Sequence, residues 1–361
     1  MVDLFIIGGG PAGLAAGIAA RRKGLRVVVA DSRKPPIDKA CGEGLMPDTI
    51  ASAAALGLEL PERRYEFRGV RFRGEGVSVE SRFPGVAGAG VRRLELHQAL
   101  VDQAEAAGVE LQWGTCVRGL DEIRARWIVG ADGATSLVRQ WAGLSGVWSD
   151  SRRYGYRVHF ARAPWTDHLE IYWRPGFQLY VTPVGEREVG VALISRDPKL
   201  RVREAMAQVP ELAVRLDGVA TSSMERGAVT ATRRLRRVTR GNVALLGDAS
   251  GSIDAISGEG LGLSFRQAAA LADVLVKGNL GQGALRQYER AHASLQFRPR
   301  FMAEFMLSMD RFGWLRRRAL PAMARRPEVF GGLLAMHVGE ASWSGFAGDC
   351  LRLGWGMVSH L

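Results

Sequence analysis

A glycine-rich turn near the start of the chain restricts the fold more than any other feature. Residues 2–7 (VDLFII) form a short apolar run that leads directly into Gly8-Gly9-Gly10-Pro11-Ala12-Gly13, a G-x-G-x-x-G pattern with Gly17 four residues on. Gly8 permits a tight turn, Gly10 lets the backbone come close to a pyrophosphate, and Gly13 lets a helix pack closely on its strand. The stretch 11–23 reads as that helix, with Pro11 suited to its first turn. Gly24 stops it, and 25–30 (LRVVVA) is a second buried strand that ends at Asp31. This is the β-α-β unit of a parallel sheet. Phosphates at the turn meet unpaired N–H groups and the positive end of the helix dipole. The Asp31 carboxylate is placed to accept hydrogen bonds from a ribose diol. An isolated G-x-G-x-x-G says little; strand, helix, strand and terminal acid in register specify a dinucleotide site.

The 361 residues suffice for one large core or two smaller ones. After a loop-like stretch at 32–47, the pattern predicts a helix over 48–57, a strand pair with a glycine turn over 65–83, an amphipathic helix over 92–107, and strands at 109–113 and 126–130. The character changes after about residue 145. Segments 153–161, 168–174, 177–182 and 188–194 are short, aromatic or β-branched, and separated by Pro or Gly, as in an antiparallel sheet. A buried strand at 242–247 leads through a glycine-rich loop into a helix over 259–276. The remainder reads as helical, with breaks near Pro321 and Pro327.

Two further turns carry chemistry. Gly130-Ala131-Asp132-Gly133-Ala134-Thr135-Ser136-Leu137-Val138-Arg139 follows a predicted strand, and Gly247-Asp248-Ala249-Ser250-Gly251 precedes Ser257-Gly258-Glu259-Gly260-Leu261-Gly262. These three motifs, in this order and spacing, resemble those of the p-hydroxybenzoate-hydroxylase-type flavoproteins, which include aromatic hydroxylases, flavin halogenases and geranylgeranyl reductases. The resemblance covers about 1–290. It implies an α/β fold: a Rossmann-type, glutathione-reductase-like FAD-binding domain, an antiparallel β-sheet substrate domain and a helical C-terminal segment. The corresponding ranges are 1–64, 92–145 and 240–290 for the FAD domain, 65–91 and 146–239 for the substrate domain, and 291–361 for the helices. It further implies FAD held by Gly8, Gly10, Pro11, Ala12, Gly13, Asp31 and Arg93. Asp132 falls on the pyrophosphate side, Gly247 and Asp248 on the ribityl side, and Gly258, Gly260, Leu261 and Gly262 at the flavin edge. NAD(P)H is the usual reductant of this superfamily.

Departures from the family patterns bear on the reaction. The His and Pro common in hydroxylases are replaced by Gly251 and Ala255, and the halogenase W-x-W-x-I-P is absent. The run Pro36-Ile37-Asp38-Lys39-Ala40-Cys41-Gly42-Glu43-Gly44 is similar to the P-x-x-x-x-C-G-x-G of geranylgeranyl reductases. Their aromatic substrate motif, however, is reduced here to Gln178-Leu179-Tyr180-Val181-Thr182-Pro183. The resemblance therefore implies first a monooxygenase that hydroxylates an aromatic or polyketide-like molecule with NAD(P)H and O2 through a C4a-hydroperoxyflavin. The alternative is a reductase that saturates C=C bonds of an isoprenoid or lipid; a non-catalytic flavin-binding or electron-transfer protein is a third class.

The catalytic candidates are Cys41, Gly42 and Glu43, in a loop expected beside the flavin. Cys41 reads equally as a small buried hydrophobe or a reactive thiol, and Glu43 rather as a solvated carboxylate than a proton donor. His97 and His159 read as packed or surface histidines, without metal-ligand spacing. Tyr172, Tyr180 and Pro183 are the candidate lining of an aromatic or lipophilic substrate pocket on the predicted sheet. The net charge of +12, rich in arginine, lacks the interleaved aromatics or module of a nucleic-acid binder, so solvated basic faces are the simpler reading. Three cysteines make no disulfide framework, the N-terminus has no basic leader, and no apolar run is long enough to span a bilayer, which together suggest a cytoplasmic protein. In the tail, Phe301, Phe305 and Met309, with Met302 and Met306, form an apolar stripe near arginines 316–318 and 325–326. Packing explains it; the sharper reading is peripheral contact with an anionic membrane.

Overall fold

The computed structural model describes residues 2–277 and 283–358, so residues 278–282 of the expected FAD segment and 359–361 of the expected helical tail lie outside the described residues. In chain order the first half contains β1 (Val2–Ile7), α1 (Pro11–Arg22), β2 (Val27–Asp31), β3 (Gly44–Leu45), α2 (Pro47–Ala55), β4 (Tyr65–Phe67), β5 (Gly69–Gly74), β6 (Val77–Arg82), β7 (Gly88–Gly90), α3 (Arg93–Ala106), β8 (Glu110–Trp113), β9 (Ala125–Gly130) and α4 (Leu137–Trp141). The second half contains β10 (Val147–Phe160), β11 (His168–Arg174), β12 (Phe177–Gly185), β13 (Glu188–Ser195), α5 (Val202–Ala207), α6 (Pro210–Leu216), β14 (Arg226–Leu235), β15 (Thr239–Arg240), β16 (Val243–Leu245), α7 (Gly260–Lys277), α8 (Gly283–Arg311), α9 (Gly313–Arg325), α10 (Pro327–His337) and α11 (Trp343–Val358).

Six strands form a sheet in the order β15-β16-β9-β1-β2-β8, parallel except for the β15–β16 pair. The apolar run of β1 sits at its centre, and α1 begins directly beyond the glycine turn. Strands buried on both faces need cover on both. Ala-rich α1 supplies part of it, with Leu14, Ile18 and Ala20 fully buried among residues of β1, β2, β9 and α7.

The second sheet has seven strands in the order β14-β10-β13-β12-β11-β5-β6, antiparallel except where β11 runs parallel to β5. Both faces are covered. One packs Tyr172, Leu179, Val191 and Leu193 against α5 and α6. The other packs Ile171, Trp173, Tyr180 and Ile194 against α8 to α11. Strand β14, which carries Arg226, Arg233 and Arg234, pairs antiparallel with β10 at the edge of this sheet.

A small third sheet, β3-β7-β4, lies at the seam between the two larger ones. Gly90 of β7 makes this possible: a Cβ there would lie 1.6 Å from the Pro183 carbonyl oxygen of β12. Helix α8 also crosses the seam. Ala284, Leu285 and Tyr288 belong to the core of the parallel sheet, whereas Met302, Met306 and Met309 belong to the second core. No helix among the described residues is long and apolar enough to cross a membrane.

Candidate functional site

The three glycine turns meet at the N-terminus of α1. Gly8 has φ +116°, and a Cβ on it would lie 2.4 Å from the Ala131 carbonyl oxygen of the second motif. A Cβ on Gly13 would lie 1.9 Å from the Gly8 carbonyl oxygen, and one on Gly247, in the third motif, 2.9 Å from the Ala12 side chain. Chain connections reinforce this junction: Ala131 donates its N–H to Ile7 O at 2.7 Å, and Leu246 to Gly130 O at 2.9 Å.

Space for a ligand is visible in the glycines that are not packed. A Cβ on Gly10, Gly42, Gly258 or Gly260 would meet nothing within 4 Å. Gly10 caps α1 without a side-chain hydrogen bond, which leaves first-turn N–H groups available to phosphate. Asp31 accepts from the Gly9 N–H at 2.8 Å through Oδ2 and from the Arg33 N–H at 2.9 Å through Oδ1, so its carboxylate is oriented at the end of β2. Asp132 Oδ2 accepts from the N–H groups of Leu137 and Val138 and so caps α4; its Oδ1 is buried without a protein partner. Arg93 at the start of α3 is 6% exposed, with Nη1 unpartnered, and burial holds its guanidinium below the ordinary value. A buried cation with a free N–H suits an anionic ligand. Asp248 pairs with Lys39 at 3.0 Å, but both side chains are more than 40% exposed, so the bridge is weak and displaceable. These open and orphaned groups together fit an extended dinucleotide.

The loop 41–44 is anchored rather than solvated. Glu43 has φ +59° and is 3% exposed, which overturns the reading of a solvated loop carboxylate. Its Oε1 accepts from the Arg93 N–H at 2.8 Å, and its Oε2 lies 2.5 Å from His159 Nε2. His159 is fully buried and its Nδ1 lies 2.7 Å from Ser223 Oγ. Arg157 stands 3.6 Å from the same carboxylate and bonds Asp38 at 2.5 Å. Thr182 donates to Gly42 O at 2.8 Å, which ties the loop to β12 beside Pro183. Burial and then the Glu43 carboxylate push the Cys41 thiol up, so at neutral pH it is S–H and not a thiolate.

The tyrosines part company. Register pairs Ile171 with Tyr180 and Tyr172 with Leu179, which sets the two tyrosines on opposite faces. Tyr180 donates its hydroxyl to Ile256 O at 2.8 Å, in the loop before Gly258. Tyr172, fully buried, faces α5 and α6 and donates to Glu170 at 3.1 Å, so it does not belong to a pocket on the Tyr180 side. In the tail stripe the packing reading holds for the methionines. Met302, Met306 and Met309 are core, and Arg316 is buried against Glu75 at 2.7 Å.

Trp113 and Arg153 escaped the sequence reading, and His97, expected there as a packed or surface histidine, is packed. Trp113 of β8 lies over Gly9, its ring 2.3 Å from where a Cβ would stand. His97 bridges Gly9 O at 2.8 Å and the Ile37 N–H at 3.3 Å, and burial pushes its pKa down, so the ring is a neutral brace. Arg153 joins Asp254 at 3.1 Å and Asp310 at 3.2 Å, a buried ion cluster that fixes the loop following Asp248. Each links residues far apart in sequence, and no local pattern signals it.

Residues 1–122 and 119–297 match the family model described as FAD binding domain. The chain is 30% identical over 315 residues to menaquinone reductase of Mycobacterium tuberculosis, covering 76% of both. It is 26% identical over 335 residues to digeranylgeranylglycerophospholipid reductase of Methanothrix thermoacetophila, covering 80% of this chain and 82% of that one. It is also 26% identical over 318 residues to para-nitrophenol 4-monooxygenase of Pseudomonas sp., covering 75% and 77%. A flavoprotein/dehydrogenase structure from Cytophaga hutchinsonii superposes with a TM-score of 0.79 at 17% identity, covering 97% of this chain and 94% of that one, which speaks for the fold. The relatives are thus FAD-dependent monooxygenases and geranylgeranyl-reductase-like enzymes. The chain belongs to the FAD-binding-domain family and is an FAD-dependent oxidoreductase.

Proposed function

We propose that the chain reduces a C=C bond in a polyprenyl-bearing lipid or quinone, with NAD(P)H as the electron source. The observation that carries this reading is the Cys41–Gly44 loop. The reductase-like run is held between the FAD-binding turns and the substrate sheet by Glu43, His159 and Thr182. The two named reductases, matched over most of their length, support it. FAD supplies two-electron chemistry when bound. In this proposal Gly8, Gly10, Pro11, Ala12, Gly13 and Arg93 hold its diphosphate and Asp31 its ribose. Asp132, Gly247 and Asp248 flank the remainder, and the turn Gly258-Gly260-Leu261-Gly262 presents N–H groups to the flavin edge. Cys41 and Gly42 form a neutral, unhindered wall, with the Cys41 S–H retaining its proton. Glu43 is a positioning residue that fixes this wall through Arg93 N–H and His159. Tyr180 and Pro183 border the apolar substrate side.

Hydroxylation is the second reading, favoured by the match to para-nitrophenol 4-monooxygenase. The two are separated by product mass spectrometry with menaquinone, geranylgeranyl lipids and phenols, under nitrogen and under 18O2. The proposal expects polyprenyl products that gain two hydrogens under nitrogen. Oxygen-dependent 18O incorporation into a phenol, with no saturated lipid under nitrogen, would reject it.

A further inference from the structure

Helix α11 is apolar on two opposite sides. Its inner side buries Phe346 and Leu353, each 5% exposed, in the core shared with α8, α9 and α10. Its outer side carries Ala347, Leu351, Trp355 and Val358, and the last three are 76%, 68% and 60% exposed. Spacings of four, four and three residues align them along one helix face. A surface helix ordinarily places polar groups there. The charges within α11 are Asp349 and Arg352, which pair with each other at 3.0 Å, with Asp349 turned against Gly332 of α10. The outward face carries no acid.

The apolar surface continues onto α8. Trp343 of α11 has its ring centroid 5.3 Å from that of Phe297 and 6.3 Å from that of Phe301, and all three side chains are exposed. Exposed Phe and Trp side chains gather beyond residue 296: Phe297, Phe301, Phe312, Trp314, Trp343 and Trp355. Helix α9, which packs on α11 where Ala322 meets Gly356, exposes Arg317, Arg318 and Arg325.

We propose that the outer face of α11, with Phe297, Phe301 and Trp343, is a membrane-contact surface that rests in the headgroup region of an anionic bilayer. Aromatic and aliphatic side chains beside arginine are what interfacial helices present to lipid; the exposed acid on the Phe297–Phe301 face of α8, Glu304, is paired with Arg234. The chain's net charge of +12 complements anionic headgroups. A protein partner fits less well, because a stable interface recruits about 20–30 residues a side and this face offers a handful. The proposal goes beyond the reaction assignment and holds for either reaction, since it concerns where the enzyme rests and not what it converts.

The test is flotation of the FAD-loaded full chain with vesicles of phosphatidylcholine alone or mixed with phosphatidylglycerol. The wild type is expected to float with the anionic vesicles, less so at high salt. Leu351→Ser/Trp355→Ser is expected to lower the partition coefficient roughly tenfold or more, with FAD content and melting temperature unchanged. Trp355→Ala alone replaces it if the double variant loses FAD. Arg317→Gln/Arg318→Gln is expected to weaken only the anionic preference. Wild-type protein that stays unbound at every lipid concentration overturns the proposal. So does a double variant that floats like wild type, or a lipid-free dimer that the same substitutions dissociate.

Discussion

Gly10 and Gly13 stand in one turn yet answer to different constraints. A side chain on Gly13 would strike the Gly8 carbonyl, whereas Gly10 has an extended backbone (φ −75°, ψ 177°) and open space where a Cβ would point. Gly10→Ala is therefore expected to keep the fold within about 0.5 kcal/mol of wild type while retaining roughly a tenth of the FAD or less, because the methyl group enters the space left for the diphosphate. Gly13→Ala is expected to cost about 3 kcal/mol or more and to lose FAD along with the fold. Urea titration and flavin absorbance on the same preparations distinguish them. Equal destabilisation by both substitutions would mean that packing, not ligand, constrains Gly10. The role of Glu43 was not legible in the same way. Its partner His159 lies 116 residues away, and a loop carboxylate looks solvated until the strand that buries it is in place.

At the scale of elements, α8 docks the C-terminal helices onto the loop that carries Asp248. His292 of α8 lies 2.8 Å from Ser250 Oγ in that loop, and burial holds its pKa down at about 4, against an ordinary 6.5. Above pH 6.5 the ring is neutral in both folded and unfolded chains. As pH falls, the unfolded chain takes up the proton first, so stability is lost progressively from about 6.5 down to about 4, by up to roughly 3 kcal/mol. His292→Gln is expected to flatten this part of the acid slope, read as melting temperature against pH beside wild type. Superimposable slopes would show that His292 does not titrate differently on unfolding. The helical character of this region was readable from its periodicity. Its continuity across two cores was not, because the apolar positions of a helix do not say which core receives them.

For the whole molecule, ligand linkage is the sharpest test of whether the three turns hold one cofactor. FAD at about one hundred times its Kd is expected to stabilise the apoprotein by about 2.7 kcal/mol. Arg93→Met removes a buried, partly unpartnered charge. Its apoprotein is therefore expected to be at least as stable as wild type and to lose most of the FAD-dependent increment in thermal unfolding. An unaltered increment would place Arg93 outside the cofactor site.

The sequence by itself determined the β-α-β unit, its phosphate-binding turn and the two later Asp-bearing turns. Their hydrogen bonding and helix-dipole chemistry are settled among residues a few positions apart. Only the tertiary structure decided that Tyr180 and not Tyr172 faces the glycine loop, that Glu43 is a buried clamp, and that the exposed apolar face of the tail belongs to α11. Period-two alternation separates the sides of a strand without naming which side meets the cofactor. Burial likewise depends on which distant segments arrive to cover a residue.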